Sequence, residues 1–148
     1  MYVNNCRVCG NENLVELLSL GSMPLANSFL KENELNSEEE KFPLEIYFCE
    51  NCKLVKLTYV TPPEKMFKNY VYVSSTTNTF KAHFAQMAQE ISAIMSLHGN
   101  SLVVDIGSND GILLSPFKNS GVNVVGVEPA TNVAKIAEDN GIETINDF

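Results

Sequence analysis

Two C-x-x-C pairs constrain this chain more than any other feature of its sequence. They are Cys6/Cys9 and Cys49/Cys52, and they contain all four cysteines of the 148 residues. Each pair lets one tight turn present two sulfurs to the same metal, and four thiolates at this spacing suit a tetrahedral zinc ion. A site with four protein ligands has no open coordination position. The pattern therefore predicts a structural zinc ion and places any chemistry elsewhere in the chain.

The N-terminus narrows the alternatives for these cysteines. Met1 to Cys6 has neither the basic region nor the apolar core of a signal peptide, so we expect a cytoplasmic protein. Cysteines in that compartment bind metal more often than they form disulfides. Two disulfides in an exported protein are the weaker alternative. A thioredoxin-like redox motif is weaker still, because neither pair sits between a buried strand and a helix.

The charge and hydropathy of the chain exclude two classes of partner. The net charge is −8, whereas nucleic-acid binding relies on clustered Lys and Arg. No stretch approaches the roughly 20 apolar residues that span a bilayer. We therefore expect neither a nucleic acid nor a membrane as partner.

The pattern of β-formers and apolar repeats predicts two domains. Residues 1–75 form the zinc-binding module, in which strands Phe42–Phe48 and Leu54–Val60 flank the second knuckle as in a zinc ribbon. A further strand at Leu14–Leu20 is broken at Gly21, and residues 25–30 follow as a short helix or a turn. Residues 76–148 begin with a helix from Thr79, which a polar cluster at 74–78 is suited to cap. The apolar stripe of this helix indicates core packing, and Gly99 ends it. A β/α alternation typical of a doubly wound sheet follows, with a buried strand at 102–106, a second strand at 122–127, the start of a third at 142–145, and helices at 110–120 and 130–140.

The first β/α turn of this alternation carries the main ligand signal. Its sequence after the strand is Asp105-Ile106-Gly107-Ser108-Asn109-Asp110-Gly111. Gly107 permits a tight turn, and Gly111 lets a ligand approach the backbone closely. Glu128 follows Gly111 by 17 residues, at the end of the next strand, where doubly wound folds place a carboxylate for the ribose hydroxyls. The pattern predicts a nucleotide-derived cofactor at the carboxyl edge of the sheet.

The acidic character of this turn favours one cofactor over another. A dinucleotide fingerprint reads G-x-G-x-x-G and leaves helix N–H groups free for a pyrophosphate. Here Asp110 would put negative charge where the pyrophosphate should lie, and Asp105, two residues before the first glycine, is a second acidic residue that disfavours a pyrophosphate. A cofactor with a cationic amino-acid part, S-adenosylmethionine, therefore fits better than NAD. A β/α turn without a ligand is the remaining alternative.

Taken together, the motifs resemble one family, the zinc-containing S-adenosylmethionine-dependent sugar C-methyltransferases that act on nucleotide-linked keto-deoxysugars. The matching stretches, which span nearly all of residues 6–148, are the two cysteine pairs, Pro24–Phe29, Tyr70–Ser75, Asp105–Gly111 and Gly126–Pro129. The resemblance implies an N-terminal zinc-ribbon-like module followed by the start of a class I methyltransferase, Rossmann-like sheet.

The resemblance also implies roles for individual residues. The cofactor would contact the loop and the end of the second strand, at Asp105, Gly107, Ser108, Asn109, Asp110, Gly111, Glu128 and Pro129. Tyr70, Tyr72 and Ser75 would lie near the sugar; strand packing and a helix cap are the equally weighted alternative for them. The catalytic residues of the family lie downstream of Phe148, so we expect this chain to be an inactive fragment with an incomplete sheet.

Three other interpretations of the function stay open, of which a nucleic-acid-binding zinc ribbon comes last because the acidic charge opposes it. A non-enzymatic zinc-ribbon interaction module with an α/β tail would bind zinc and no nucleotide. An NAD-linked dehydrogenase or epimerase domain is disfavoured by the missing third glycine of the fingerprint. An incomplete sheet also leaves an open edge strand, so self-association through that edge is a further expectation.

Overall fold

The computed structural model describes residues 1–148, which form two compact units, Met1–Met66 and Phe67–Phe148. The predicted boundary, at residue 75, lies further along the chain. The reason is that residues 68–75 are hydrogen-bonded to the second unit: Thr131 N–H donates to the Lys68 carbonyl at 3.1 Å, and Ser75 N–H donates to Asp110 at 3.1 Å.

The first unit contains a three-stranded antiparallel sheet in the order β1-β2-β3. Its strands are β1 (Leu14–Met23), β2 (Phe42–Cys49) and β3 (Val55–Leu57), and the second knuckle lies between β2 and β3 as predicted. The predicted break of β1 at Gly21 is wrong. The strand continues to Met23 through a register shift between Ser19 and Ser22, where Gly21 takes a positive φ of 72°.

Short segments complete the first unit. Asn27 has a φ of 63° and forms a turn in the 25–30 region, where a turn or short helix was predicted. The polar stretch 31–41 contains one 3₁₀ turn at Glu32–Glu34. Helix α1 (Pro63–Phe67) follows the sheet and leads into the second unit.

The second unit has the predicted β/α alternation. Its elements are α2 (Asn78–Met95), β4 (Leu102–Ile106), α3 (Leu114–Asn119), β5 (Asn123–Val127), α4 (Thr131–Asp139) and β6 (Thr144–Ile145). The three strands are parallel and lie in the order β4-β5-β6, so each crossover places the next strand beside the last. The carboxyl ends of β4 and β5 therefore meet at one edge of the sheet.

The core of this unit lies between the helices and one face of the sheet. It contains Ala88 of α2, side chains of α3, β5 and α4, and one residue that follows each of α3 and α4: Leu114, Phe117, Val124, Ala137, Val122 and Ile142. Thr77 caps α2, because its hydroxyl accepts a hydrogen bond from Phe80 N–H at 3.3 Å, as the polar cluster before the helix predicts.

Two expectations about burial are wrong. Strand β4 is not buried on both faces: Leu102, Val104 and Ile106, which share one face of the strand, are 60%, 52% and 80% exposed. Val103, on the opposite face, packs against the core. The apolar stripe of α2 packs only in part, since Ala88 is buried while Ile94 is 79% exposed.

The end of α2 also differs from the prediction. The helix ends at Met95, and Ser96, in the left-handed conformation, supplies the stop that was expected at Gly99. Helix α3 starts at Leu114 rather than at residue 110, because residues 109–113 form turns. None of the helices is long and apolar enough to cross a membrane.

Candidate metal centre and cofactor site

The four cysteines converge on one point in the first unit. All four Sγ atoms lie within 4.8 Å of one another; Cys6 and Cys52 are 3.4 Å apart, and Cys9 and Cys49 are 3.6 Å apart. A tetrahedral zinc ion with Zn–S bonds of about 2.3 Å separates its sulfurs by about 3.8 Å. The observed spacing therefore fits a four-thiolate zinc site, as the sequence predicts.

Two similar turns deliver these sulfurs. Gly10 N–H donates to the Cys6 carbonyl at 2.9 Å, and Lys53 N–H donates to the Cys49 carbonyl at 2.9 Å. Gly10 and Lys53 both have a positive φ, 72° and 66° respectively. Glycine adopts this left-handed conformation without strain. The second knuckle makes the same turn without a glycine.

Hydrogen bonds around the first knuckle favour the thiolate form that a metal requires. The Asn51 side chain, and then the Asn11 backbone, lower the pKa of Cys9 from its ordinary 9.0 to about 6. Backbone groups of Cys9 and Val8 lower the pKa of Cys6 in the same way.

The fourth thiol has the opposite tendency. A backbone hydrogen bond from Leu54 acts to lower the pKa of Cys52. Hydrogen bonding with the Cys6 sulfur, burial and the two remaining thiols outweigh it and raise the pKa to about 12. Four sulfurs this close cannot all carry negative charge unless a cation lies among them. Cys6 and Cys49 are 1% and 0% exposed, so two of the ligands are shielded from water.

The second candidate site lies at the carboxyl edge of the parallel sheet. The loop after β4 turns across the neighbouring strand, because the N–H groups of Gly107 and Ser108 donate to the Val127 carbonyl at 2.8 and 3.1 Å. Gly107 and Asn109 have φ values of 80° and 50°. No atom lies within 4 Å of the position that a Gly107 side chain would occupy, so the loop backbone is open there.

Glu128 ties this loop to the end of β5. Its Oε2 accepts a hydrogen bond from Asn109 N–H and its Oε1 accepts one from Ala130 N–H, both at 2.8 Å. The residue is 6% exposed. Asp105, at the end of β4, is half-buried. Burial, and then the negative charge of Glu128, raise the pKa of Asp105 above its ordinary value of 3.8. The structure thus brings together Asp105, Gly107, Asn109 and Glu128.

The later residues of the loop face inward. A side chain at Gly111 would begin 2.8 Å from Cγ1 of Ile142, so the space left by this glycine is filled by the core rather than open to a ligand. This differs from the expectation that a ligand approaches the backbone there. Asp110 is 2% exposed; its Oδ2 accepts the Ser75 N–H bond, and its Oδ1 has no hydrogen-bond partner.

Ser108 is also buried beneath the loop, and its Oγ has no hydrogen-bond partner. A side chain at Gly126 would begin 2.5 Å from this Oγ. The glycine in β5 is therefore what allows Ser108 to sit under the loop. Pro129, at the end of the predicted set, has its carbonyl 3.2 Å from the Asn146 side-chain amide.

The segment Tyr70–Ser75, which we name the strap, is held against this edge by side chains. It has no regular secondary structure up to Val73, whose backbone is extended, and a 3₁₀ turn begins at Ser74. Asn132 of α4 pairs with Tyr70 in both directions, accepting from its N–H at 3.0 Å and donating to its carbonyl at 2.6 Å. Asn109 accepts from Ser74 N–H at 2.8 Å and donates to the Tyr72 carbonyl at 3.1 Å.

Of the three predicted sugar-side residues, Tyr72 and Ser75 are bonded to the loop after β4, whereas Tyr70 is bonded to α4. Tyr70 is half-buried, its ring 5.9 Å from that of Phe67, while Tyr72 is 45% exposed. Asn132 was missed by the sequence analysis. Its signal is weak, a single polar residue in the first turn of a helix. His83 and His98 are exposed, in keeping with their omission from the site.

The residues at this edge fit a ligand that carries positive charge. Two carboxylates, Asp105 and Glu128, follow adjacent strands and flank the open backbone at Gly107. Each oxygen of Glu128 accepts a single backbone hydrogen bond, so lone pairs remain for a further donor.

Comparison with known proteins supports the metal centre and the enzyme class. Residues 6–67 match a family model, Methyltransf_13, described as "Putative zinc binding domain". The chain is 37% identical to the C-methyltransferase NovU of Streptomyces niveus over 143 residues, which are 97% of the chain and 34% of that relative. It therefore spans about a third of the length of the curated relative it matches. The resemblance drawn from the motifs is confirmed: residues 6–67 match this zinc-binding-domain model, and the chain is similar in sequence to a C-methyltransferase.

Proposed function

We propose that this chain is part of an S-adenosylmethionine-dependent C-methyltransferase that acts on a nucleotide-linked keto-deoxysugar. The unit Phe67–Phe148 holds the cofactor, and the strap contributes to the sugar side of the site. In the unit Met1–Met66 the zinc ion has a structural role, because four cysteine ligands leave no position for a substrate or a water.

The observation that carries the cofactor assignment is the pair of carboxylates at adjacent strand ends. Glu128 alone would suit the ribose of either NAD or S-adenosylmethionine. Asp105 distinguishes the two, because Glu128 is near enough for its charge to raise the pKa of Asp105. A second negative charge beside the open turn attracts the cationic part of S-adenosylmethionine and opposes a pyrophosphate.

Each residue of the site would then have a distinct role in binding the cofactor. Glu128 accepts hydrogen bonds from the ribose, Asp105 faces the positive charge, and the Gly107–Asn109 backbone lines the ligand. Asp110 and Gly111 keep the loop in shape from its buried side. S-adenosylmethionine supplies the methyl group when bound, and the protein holds it in position toward the sugar. Tyr70, Tyr72 and Ser75 lie on the segment that would face the sugar.

Calorimetric titration of the zinc-loaded chain tests this proposal. S-adenosylhomocysteine is titrated in parallel with NAD, and we expect heat of binding for the first alone. Glu128→Gln removes a charge-assisted acceptor that contributes about 1.5–3 kcal/mol, so it should weaken S-adenosylhomocysteine binding at least about tenfold. Glu138→Gln, on the exposed side of α4, is the matched control and should leave the affinity unchanged.

Two outcomes would contradict the proposal. Tighter binding of NAD would favour a dehydrogenase or epimerase domain. Binding of neither ligand by a folded, zinc-loaded chain would favour the zinc-ribbon interaction module. Circular dichroism of each variant shows whether a lost affinity reflects the site or an unfolded protein.

A further inference from the structure

We propose that Asn109 couples the cofactor carboxylate Glu128 to the strap, so that cofactor binding fixes the segment carrying the sugar-side tyrosines. The inference rests on the proposed function and deepens it. It makes Asn109 a positioning residue that acts through its neighbours. Its backbone N–H bonds to Glu128, and its side chain bonds to the strap.

Both polar atoms of the Asn109 side chain hydrogen-bond to the strap. Its Oδ1 accepts from Ser74 N–H at 2.8 Å, and its Nδ2 donates to the Tyr72 carbonyl at 3.1 Å. Alternate residues of an extended segment offer this donor and acceptor to a neighbouring strand. The strap belongs to no sheet, so the Asn109 amide takes the place of a strand partner for Tyr72 and Ser74.

The backbone of Asn109 is committed to the cofactor carboxylate. Its N–H donates to Glu128 Oε2 at 2.8 Å, while its φ of 50° turns the side chain toward the strap. Asparagine is among the few residues other than glycine that adopt this left-handed conformation at low cost. A shift of Glu128 or of the loop therefore moves both hydrogen bonds to the strap.

The two other anchors of the strap lack this double connection. Asn132 holds Tyr70 from α4, and Asp110 holds Ser75 from the buried side of the loop. Neither side chain hydrogen-bonds to Glu128. Of the three residues that hold the strap, only Asn109 also hydrogen-bonds to Glu128, so a ligand on Glu128 affects the strap through Asn109.

Thermodynamic linkage gives this arrangement two measurable consequences. A ligand on Glu128 that restrains Asn109 should also restrain Tyr72 and Ser74. Because coupling is reciprocal, loss of the contacts between Asn109 and the strap should also lower the affinity for the cofactor. In the intact reaction the sugar-side wall would be ordered by the cofactor, so the cofactor would bind before the sugar.

The test is amide hydrogen exchange of the zinc-loaded chain, followed by NMR with and without S-adenosylhomocysteine. The Ser74 amide reports directly on the bond to Asn109. In the wild type we expect the ligand to slow Ser74 exchange at least about fivefold, the lower end of usual coupling energies. Asn109→Gly keeps the backbone bond to Glu128 and tolerates the positive φ, but it removes both strap contacts.

In Asn109→Gly, Ser74 should exchange faster in the free protein, the ligand should no longer slow it, and the affinity should fall about fivefold or more. Asn132→Ala is the matched control. It should free the Tyr70 amide and leave the effect of the ligand on Ser74 intact.

Two results would overturn the coupling alone. One is a wild type that binds the ligand without any change at Ser74. The other is an equal slowing of Ser74 in wild type and Asn109→Gly. A wild type that does not bind S-adenosylhomocysteine would overturn the proposed function and the coupling with it.

Discussion

Gly107 and Gly111 lie in the loop after β4, and the structure gives different reasons for a glycine at each position. Gly107 and Gly111 have almost the same left-handed φ, 80° and 78°. They differ in what surrounds the missing side chain. At Gly107 no atom lies within 4 Å, whereas at Gly111 the new Cβ would lie 2.8 Å from Cγ1 and 3.2 Å from Cβ of Ile142.

The structure sets the expected size of each effect. Alanine in the left-handed region costs about 1–2 kcal/mol, and this applies to both positions. Gly111→Ala adds overpacking of about 1–3 kcal/mol, because Ile142 is 1% exposed and branched at Cβ, so it cannot turn aside. We expect Gly107→Ala to lose about 1–2 kcal/mol of unfolding free energy, and Gly111→Ala about 2–5 kcal/mol.

Thermal unfolding followed by circular dichroism at the helix band measures this difference. The signal reports on the unit Phe67–Phe148, because all helices longer than one turn or so lie there. For a unit of this size each kcal/mol shifts Tm by about 4–8 °C, so Gly111→Ala should melt at least about 4 °C below Gly107→Ala. Equal melting temperatures would show that backbone conformation alone explains both glycines, and would refute the packing argument for Gly111.

Three further predictions follow from the same geometry. Cys49→Ser should abolish zinc binding and unfold the first unit, because binding of structural zinc contributes about 10–16 kcal/mol to the folding free energy. Metal analysis and circular dichroism measure the two effects. The control, Val8→Ala in the exposed part of the first knuckle, should retain zinc. Asp105→Asn should remove a pH dependence of stability. Since burial and the charge of Glu128 raise the folded pKa of Asp105, the folded state holds its proton more tightly, and wild-type stability should fall as pH rises from about 3.8 through the raised pKa. Urea midpoints across that range would reveal it, and an unchanged slope in the variant would contradict the assignment. Gly126→Ala should displace Ser108 and lower Tm by more than an alanine at an exposed strand position, with a neutral result arguing against the 2.5 Å approach.

The metal centre was predictable because its information is local. Each C-x-x-C pair specifies one turn, and four thiolates brought together by two such turns suit a tetrahedral zinc ion. What the sequence could not show is that Lys53 adopts the left-handed turn that Gly10 adopts in the first knuckle. A lysine there costs backbone strain, which the sulfur–metal bonds of the second knuckle can offset.

The turn after β4 was predictable in place but not in detail, and its role in cofactor binding stays a prediction. The contiguous motif located the turn and Glu128, because parallel strands bring their carboxyl ends to one edge. The sequence did not reveal that Gly111 faces Ile142, since the direction of a missing side chain depends on packing from residues far along the chain. Asn132 was missed for the same reason: it meets Tyr70 only through the fold.

The apolar residues of α2 and β4 show a different limit. Periodicity identifies Ile94 and Val104 as members of apolar faces, but it does not identify what covers them. Ile94 and Val104 are 79% and 52% exposed in this chain. Self-association through the β4 edge or face stays a prediction, and sedimentation of the zinc-loaded chain at increasing concentration would test it.

The hydrogen bonds around the loop also indicate which atoms are left for a ligand. Gly107 and Ser108 N–H groups are satisfied by Val127, and the Asn109 N–H and amide are satisfied by Glu128 and the strap. The unpartnered Oδ1 of Asp110 lies on the buried side. The remaining acceptor capacity at this edge is therefore on Asp105 and Glu128. A ligand that donates hydrogen bonds and carries positive charge complements those atoms, whereas a phosphate would meet acceptors with acceptors. The same bonds explain why we propose a role for the strap: Asn109 donates its N–H to Glu128 and bonds Tyr72 and Ser74 through its side chain, so a ligand held by Glu128 would act on the strap through Asn109.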